Sequence, residues 1–145
     1  MVIEKFKNKV VFLDTAPLIY FIEGHSEYQH KLKKLFELND DGYFKFIASS
    51  ITLLEVLVKP LKVNEPKVVE QYKNILTNAE GIDIFDITTP ITIKAAEIRA
   101  KYNIPTPDAI QVATSIEREA DYFLTNDNRL KSITEIKAII ISELQ

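Results

Sequence analysis

The chain contains no cysteine among its 145 residues. Without thiols it can form neither a disulfide framework nor a thiolate metal site. Glycine is also scarce, and Gly24, Gly42 and Gly81 are too widely spaced for a GxGxxG or P-loop motif. No apolar run is long enough to span a bilayer, and the first residues lack the apolar core of a signal peptide. We therefore expect a cytoplasmic protein.

An excess of positive charge is missing as well, because the formal net charge is −3 and the pI is about 5.5. Nucleic-acid-binding domains usually carry a strongly basic surface. A polyanionic ligand would therefore need a local basic patch or a bound cation. What is abundant is apolar side chains, at 46% of the chain, which excludes a disordered protein. Residues 1–145 are enough for one domain with a substantial core, and we expect a single domain.

Short apolar segments alternate with helical patterns from one end of the chain to the other. This alternation predicts an α/β fold, a three-layer α/β/α sandwich around a mainly parallel sheet. Val10–Leu13 should be a central strand, because it is wholly apolar, and Ala138–Ile141 should lie near an edge. The predicted strands are Val10–Leu13, Phe44–Ala48, Ile82–Ile87, Asp121–Leu124 and Lys137–Ile141. The first four predicted helices are Pro17–Glu23, Glu27–Asn39, Ile51–Lys59 and Val63–Asn78, and Pro60 should end the third of them. A fifth helix should be capped by Thr88 or Thr89 and end near Tyr102. A sixth should be capped by Thr106.

Four carboxylates fall where the carboxyl-terminal ends of the predicted strands meet the helices that follow them. Asp14 and Asp127 follow the C-terminal ends of strands, Glu55 lies in the helix after a strand, and Asp108 lies in the first turn of a helix. Each has a structural alternative. Asp14 and Asp127 would serve as caps, Asp108 would complement the helix dipole, and Glu55 would pair with Lys59 on a solvated face. Because strand C-termini and the helices that follow them share one edge, all four would also fit one cleft.

Converging carboxylates repel one another unless a cation neutralises them. With oxygen ligands alone and no cysteine, the hard ions Mg²⁺ and Mn²⁺ fit best. Such a site binds phosphate, neutralises a phosphoryl transition state and activates water. The sequence therefore indicates metal-assisted phosphodiester hydrolysis. His25 and His30 are interpreted as surface or packing residues.

Four segments of the chain resemble the motifs of PIN-domain nucleases, and most closely those of VapC-type toxins of prokaryotic toxin–antitoxin pairs. The likeness runs over nearly the whole chain, in the right order and spacing. The segments are Phe12–Tyr20, Ser50–Val56, Thr106–Ala109 and Leu124–Asp127.

The resemblance implies a Mg²⁺- or Mn²⁺-dependent endoribonuclease that is a homodimer and is neutralised by a protein antitoxin. It makes Asp14, Glu55, Asp108 and Asp127 the catalytic acids, with Asp14 and Asp108 as the main metal ligands. Thr15, Thr125 and Asn126 then occupy the positions of supporting polar groups.

Two other functions remain open at this point: an RNA-processing nuclease with the same chemistry, and a PIN-like module that binds metal or nucleic acid without cutting. The presence of all four acids favours an enzyme.

Overall fold

The structure, a computed structural model, describes residues 2–144. Its strands are β1 (Val10–Leu13), β2 (Lys45–Ser49), β3 (Ile82–Phe85), β4 (Tyr122–Thr125) and β5 (Ala138–Ile140). Its helices are α1 (Thr15–Glu23), α2 (Gln29–Asp40), α3 (Ser50–Lys62), α4 (Pro66–Thr77), α5 (Thr89–Tyr102) and α6 (Thr106–Glu117). Short 3₁₀ turns cover Ile3–Phe6, Asn128–Ser132 and Ile141–Glu143.

The five strands form one parallel sheet in the order β3-β2-β1-β4-β5. Helices pack on both faces, so the predicted α/β sandwich is confirmed. The prediction that Val10–Leu13 is central is also confirmed, because β1 pairs with β2 on one side and β4 on the other. β5 lies at one edge of the sheet, as expected, and β3 lies at the other.

Both faces of β1 are buried, as its apolar sequence predicts. Val11 and Leu13 point into one core, which also contains residues of α1 and α2. Phe12 points into the other core, where its ring stacks on that of Phe123 with centroids 4.9 Å apart. The strand that leads to Asp14 is therefore fixed on all sides.

Several predicted helix boundaries are wrong, among them the start of α4, which lies at Pro66 rather than Val63. Pro60 does not end α3, which continues to Lys62. The backbone angle of proline is compatible with a helix, and the buried ring of Pro60 packs in the interior. Thr106 does not cap α6 but is its first residue, and its hydroxyl accepts a hydrogen bond of 3.1 Å from Arg99. None of the helices within residues 2–144 is long and apolar enough to cross a membrane.

Candidate active site

Asp14 lies between the end of β1 and the start of α1, where two hydrogen bonds fix its carboxylate. Oδ1 accepts from the backbone N–H of Thr15 at 2.8 Å, and Oδ2 accepts from the hydroxyl of Thr125 at 2.6 Å. Burial raises the pKa of Asp14 to about 6. The two hydrogen bonds oppose this rise, and the negative charges of Asp108 and Glu55 add to it. Asp14 is therefore a helix cap and also a strongly perturbed acid in a cleft.

Glu55 projects from α3 toward Asp14 rather than into solvent. Its Oε1 accepts from the hydroxyl of Thr15 at 2.8 Å and from the side-chain amide of Gln111 at 3.1 Å. The amide oxygen of Gln111 in turn accepts from the buried hydroxyl of Thr52 at 3.2 Å. The alternative of a solvated face shared by Thr52, Glu55 and Lys59 is therefore wrong. Three elements, α1, α3 and α6, are joined through this network.

Asp108 and Asp127 share a third charged residue, Arg129. The guanidinium of Arg129 donates to both oxygens of Asp127, at 2.7 to 3.2 Å, and lies 3.9 Å from Asp108. This pairing lowers the pKa of Asp127. Burial raises the pKa of Asp108, the charge of Asp127 adds to the rise, and Arg129 opposes it. Asp127 also caps the turn Asn128–Ser132 by accepting from the backbone of Arg129 at 3.0 Å.

Thr125 bonds to two of these acids, and Asn126 bonds to a tyrosine of α1. The hydroxyl of Thr125 donates to Asp14 and accepts from the backbone N–H of Asp127 at 3.0 Å. The side-chain amide of Asn126 donates to the hydroxyl of Tyr20 at 3.3 Å. A single buried threonine thus links two of the four acids.

All seven residues predicted for the site line one cleft of about 340 Å³. The four acids come from β1, α3, α6 and the turn after β4, and α1 supplies Thr15. Two further polar residues of the cleft, Gln111 and Arg129, were missed by the sequence interpretation. Gln111 lies three residues after Asp108 and therefore on the same face of α6. That spacing was the available signal, whereas nothing in the sequence set Arg129 apart from an ordinary surface cation.

The residues fit a hard divalent cation, although the cation must compete with Arg129 for Asp127. Within residues 2–144, no three His, Asp or Glu side chains are gathered closely enough to hold a metal ion as they stand. The donor set nevertheless consists of carboxylate oxygens, which Mg²⁺ and Mn²⁺ prefer. The raised pKa of Asp14 shows that its negative charge is poorly compensated, which is the condition that a cation relieves. At Asp127, Arg129 supplies that positive charge instead.

Comparisons with known proteins agree on the fold. A family model described as "PIN domain" matches residues 11–136. The structure of VapBC2 from Rickettsia felis, bound to a DNA fragment from its promoter, is 20% identical, with a TM-score of 0.71 over 90% of this chain and 98% of that chain. The sarcin-ricin loop cleaving toxin VapC20 of Mycobacterium tuberculosis is 13% identical, with a TM-score of 0.71 over 88% and 98%. FitAcB of Neisseria gonorrhoeae is 16% identical, with a TM-score of 0.69 over 92% and 99%. No curated protein sequence gave a match.

Proposed function

The chain belongs to the PIN-domain family, and from this premise we propose that it is a metal-dependent endoribonuclease, the toxin of a toxin–antitoxin pair. PIN domains are typically nucleases and generally use divalent metals. The proposal treats residues 1–145 as one nuclease domain that works in the cytoplasm. VapC and FitB toxins, which share the fold, supply the analogy for the biological role.

One observation carries the proposal: Asp14, Glu55, Asp108 and Asp127 open onto a single cleft. Four separate caps would have no reason to face each other, since like charges in proximity raise each other's pKa and cost stability. The charges of Asp108 and Glu55 raise the pKa of Asp14, and that of Asp127 raises the pKa of Asp108. Such a cluster is expected where a function requires it.

We assign Asp14 and Asp108 as direct ligands of Mg²⁺ or Mn²⁺, with Glu55 and Asp127 completing the acidic site. The bound ion would supply Lewis-acid stabilisation of the charge that develops when a phosphodiester is hydrolysed. The protein's own contribution is orientation, because three of the acids, Asp14, Glu55 and Asp127, are held by hydrogen bonds before any ligand arrives. Thr125 holds Asp14, while Thr15 and Gln111 hold Glu55.

The proposed partners are an RNA substrate, a protein antitoxin that blocks the acidic cleft, and a second copy of the chain. The homodimer is supported by α3, on which Leu54, Val58 and Leu61 are exposed, Leu54 and Leu61 each by 61%. Such a group of large apolar side chains on one helix is typical of a surface that another protein covers.

The decisive experiment is RNA cleavage in Mn²⁺, with and without chelator, comparing the wild-type protein with Asp14→Asn. We expect cleavage by the wild type that EDTA abolishes, and none by Asp14→Asn. Asp86→Asn is the matched control, since Asp86 is an exposed acid just after β3 that does not line the cleft. Equal cleavage by wild type and Asp14→Asn would reject the assignment of the site.

A non-catalytic module is the second candidate, and Arg129 is the observation that favours it. Its ion pair with Asp127 already neutralises part of the acidic cleft without a metal. The same assay separates the two functions. A module would bind RNA or Mn²⁺ but leave RNA intact under every condition.

A further inference from the structure

Three aromatic rings lie together at the end of α1, and one of them, Tyr20, bonds through its hydroxyl to Asn126 of the acidic cleft. The proposed function so far leaves them without a role. The rings of Tyr20 and His25 have centroids 4.4 Å apart, and those of His25 and Tyr28 are stacked at 4.7 Å with an angle of 14°. Tyr20 and Tyr28 are 6.1 Å apart. All three side chains are only partly buried, so the cluster has surface available to a ligand. We call these residues the aromatic triad.

The triad is held rigidly rather than folded loosely on the surface. Nδ1 of His25 accepts from the backbone N–H groups of Glu27 and Tyr28, both at 3.2 Å. These bonds fix the ring in place and leave its proton on Nε2. Tyr20 is fixed at its other end, because its hydroxyl accepts from the side-chain amide of Asn126. A preorganised aromatic surface binds a flat ligand at low entropic cost.

The triad also joins two concave regions of the molecule. Asn126, which holds Tyr20, lines the acidic cleft. His25 lines a separate cavity of about 760 Å³, together with His30, Gln29 and Lys33 from the α2 side. The triad therefore contacts the acidic cleft through Tyr20 and the second cavity through His25, and that cavity carries both basic and acidic side chains, Lys33 with Glu37 and Asp40.

We propose that the aromatic triad stacks an unpaired base of single-stranded RNA that flanks the scissile phosphate. The inference rests on the proposed function and assigns these three residues of the chain a role in holding its substrate. The charge of the protein supports it. With a net charge of −3, the chain has little overall phosphate attraction to offer, and stacking on aromatic rings supplies affinity that does not depend on charge. Single-stranded loops are the RNA elements whose bases can reach such a surface.

The test measures binding and stacking separately from cleavage. A single-stranded oligoribonucleotide that the protein cuts in Mn²⁺ is resynthesised with 2-aminopurine at each position in turn and titrated with protein in Ca²⁺, and the RNA is checked afterwards to be intact. We expect fluorescence quenching at one position next to the cut. Tyr28→Leu should remove this quenching and weaken binding about tenfold, the usual effect of losing one base–aromatic stack. Tyr28→Phe, which keeps the ring, should match the wild type.

Cleavage kinetics and a duplex complete the design. Tyr28→Leu should raise KM for the single strand and leave kcat near the wild-type value. A merely structural defect would instead lower the melting temperature, and its effect would not depend on whether the aromatic ring is kept. A blunt duplex of the same sequence should bind equally to all variants. Cleavage by the wild type with no position-specific quenching would overturn the stacking proposal alone, and would leave the triad as a docking surface for protein. If no RNA is cut in Mn²⁺, the proposed function fails first.

Discussion

The hydroxyl of Thr125 donates to Oδ2 of Asp14 at 2.6 Å, a hydrogen bond between residues 111 positions apart in the sequence. It joins the ends of the adjacent strands β1 and β4 at the centre of the sheet. The same hydroxyl accepts from the backbone of Asp127. One side chain therefore sets the geometry of two of the proposed catalytic acids.

Replacing Thr125 with valine keeps the shape of the side chain and removes both hydrogen bonds. We expect the pKa of Asp14 to rise above about 6, because the bond from Thr125 lowers it. The free energy of unfolding should fall by about 1–3 kcal/mol, since the N–H of Asp127 loses its acceptor. Carboxyl NMR titration and urea denaturation measure the two effects. Thr125→Ser keeps the hydroxyl and should resemble the wild type in both.

The metal-free protein should lose stability as the pH rises, and Asp14 should be a main cause. The folded pKa of about 6 exceeds the reference value of 3.8, so Asp14 favours the folded state below about pH 4 and this contribution is lost as the pH rises through 6. The loss amounts to at most about 3 kcal/mol. Urea denaturation in EDTA between pH 4 and 7 should show this decline for the wild type and a flatter profile for Asp14→Asn. Parallel stability profiles for the wild type and Asp14→Asn would contradict the assignment of this pH dependence to Asp14.

Arg129 should compete with a divalent ion for the acidic cleft. Because its side chain is largely exposed, the pairing with Asp127 is weak and is screened by solvent. Arg129→Met should therefore raise the apparent affinity for Mn²⁺ by up to about fivefold, measured from melting temperature against metal concentration. Lys131→Met is the control, since Lys131 pairs with Glu143 and not with the cleft. Weaker Mn²⁺ binding by Arg129→Met would show that Arg129 supports the ion.

Gln111 should be a structural requirement of the cleft. Gln111→Leu fits the interior in size but leaves the buried hydroxyl of Thr52 without its acceptor and removes one of the two donors to Glu55. The free energy of unfolding should fall by about 1–3 kcal/mol in urea denaturation. The same exchange at Gln71, which is exposed on α4, should change stability by less than about 0.5 kcal/mol. Equal losses of unfolding free energy for Gln111→Leu and Gln71→Leu would contradict a stabilising role for the hydrogen bonds of Gln111.

The homodimer is tested on the exposed face of α3. A carboxylate at Leu54 or Leu61 would be buried without a partner in an apolar interface, so Leu54→Glu and Leu61→Glu should convert the dimer to a monomer. Light scattering at micromolar concentration reports the mass. Ile93→Glu makes the same exchange at an exposed apolar residue of α5 and should leave the dimer intact. A wild-type monomer at this concentration would reject the dimer itself.

The sequence was sufficient for the sheet because its signals are local. Val10–Leu13 is apolar throughout, which is possible for a strand only if both faces are covered, and such a strand lies at the centre of a parallel sheet. The position of Asp14 at the carboxyl end of this central strand followed directly. The position of Asp127 after β4 followed from the same reasoning.

The connections between the acids could not be predicted in this way. Whether Glu55 faces Lys59 or the cleft depends on the packing of α3 against α6, which brings Gln111 to it. The pairing of Arg129 with Asp127 depends on a turn geometry that its sequence does not specify. Pro60 shows the same limit, since its local preference for ending a helix was outweighed by burial of its ring.

The order of the strands also determines when the proposed activity can arise during synthesis of the chain. β1 emerges early from the ribosome, but its neighbour β4 is synthesised more than a hundred residues later, and Asp127 follows β4. A nascent chain that ends before β4 lacks β4, β5 and Asp127, so the sheet is incomplete on one side of Asp14 and Thr125 is not there to bond its carboxylate. Premature termination or cleavage before residue 122 should therefore yield fragments without the proposed nuclease activity, which would arise only after β4 has paired with β1.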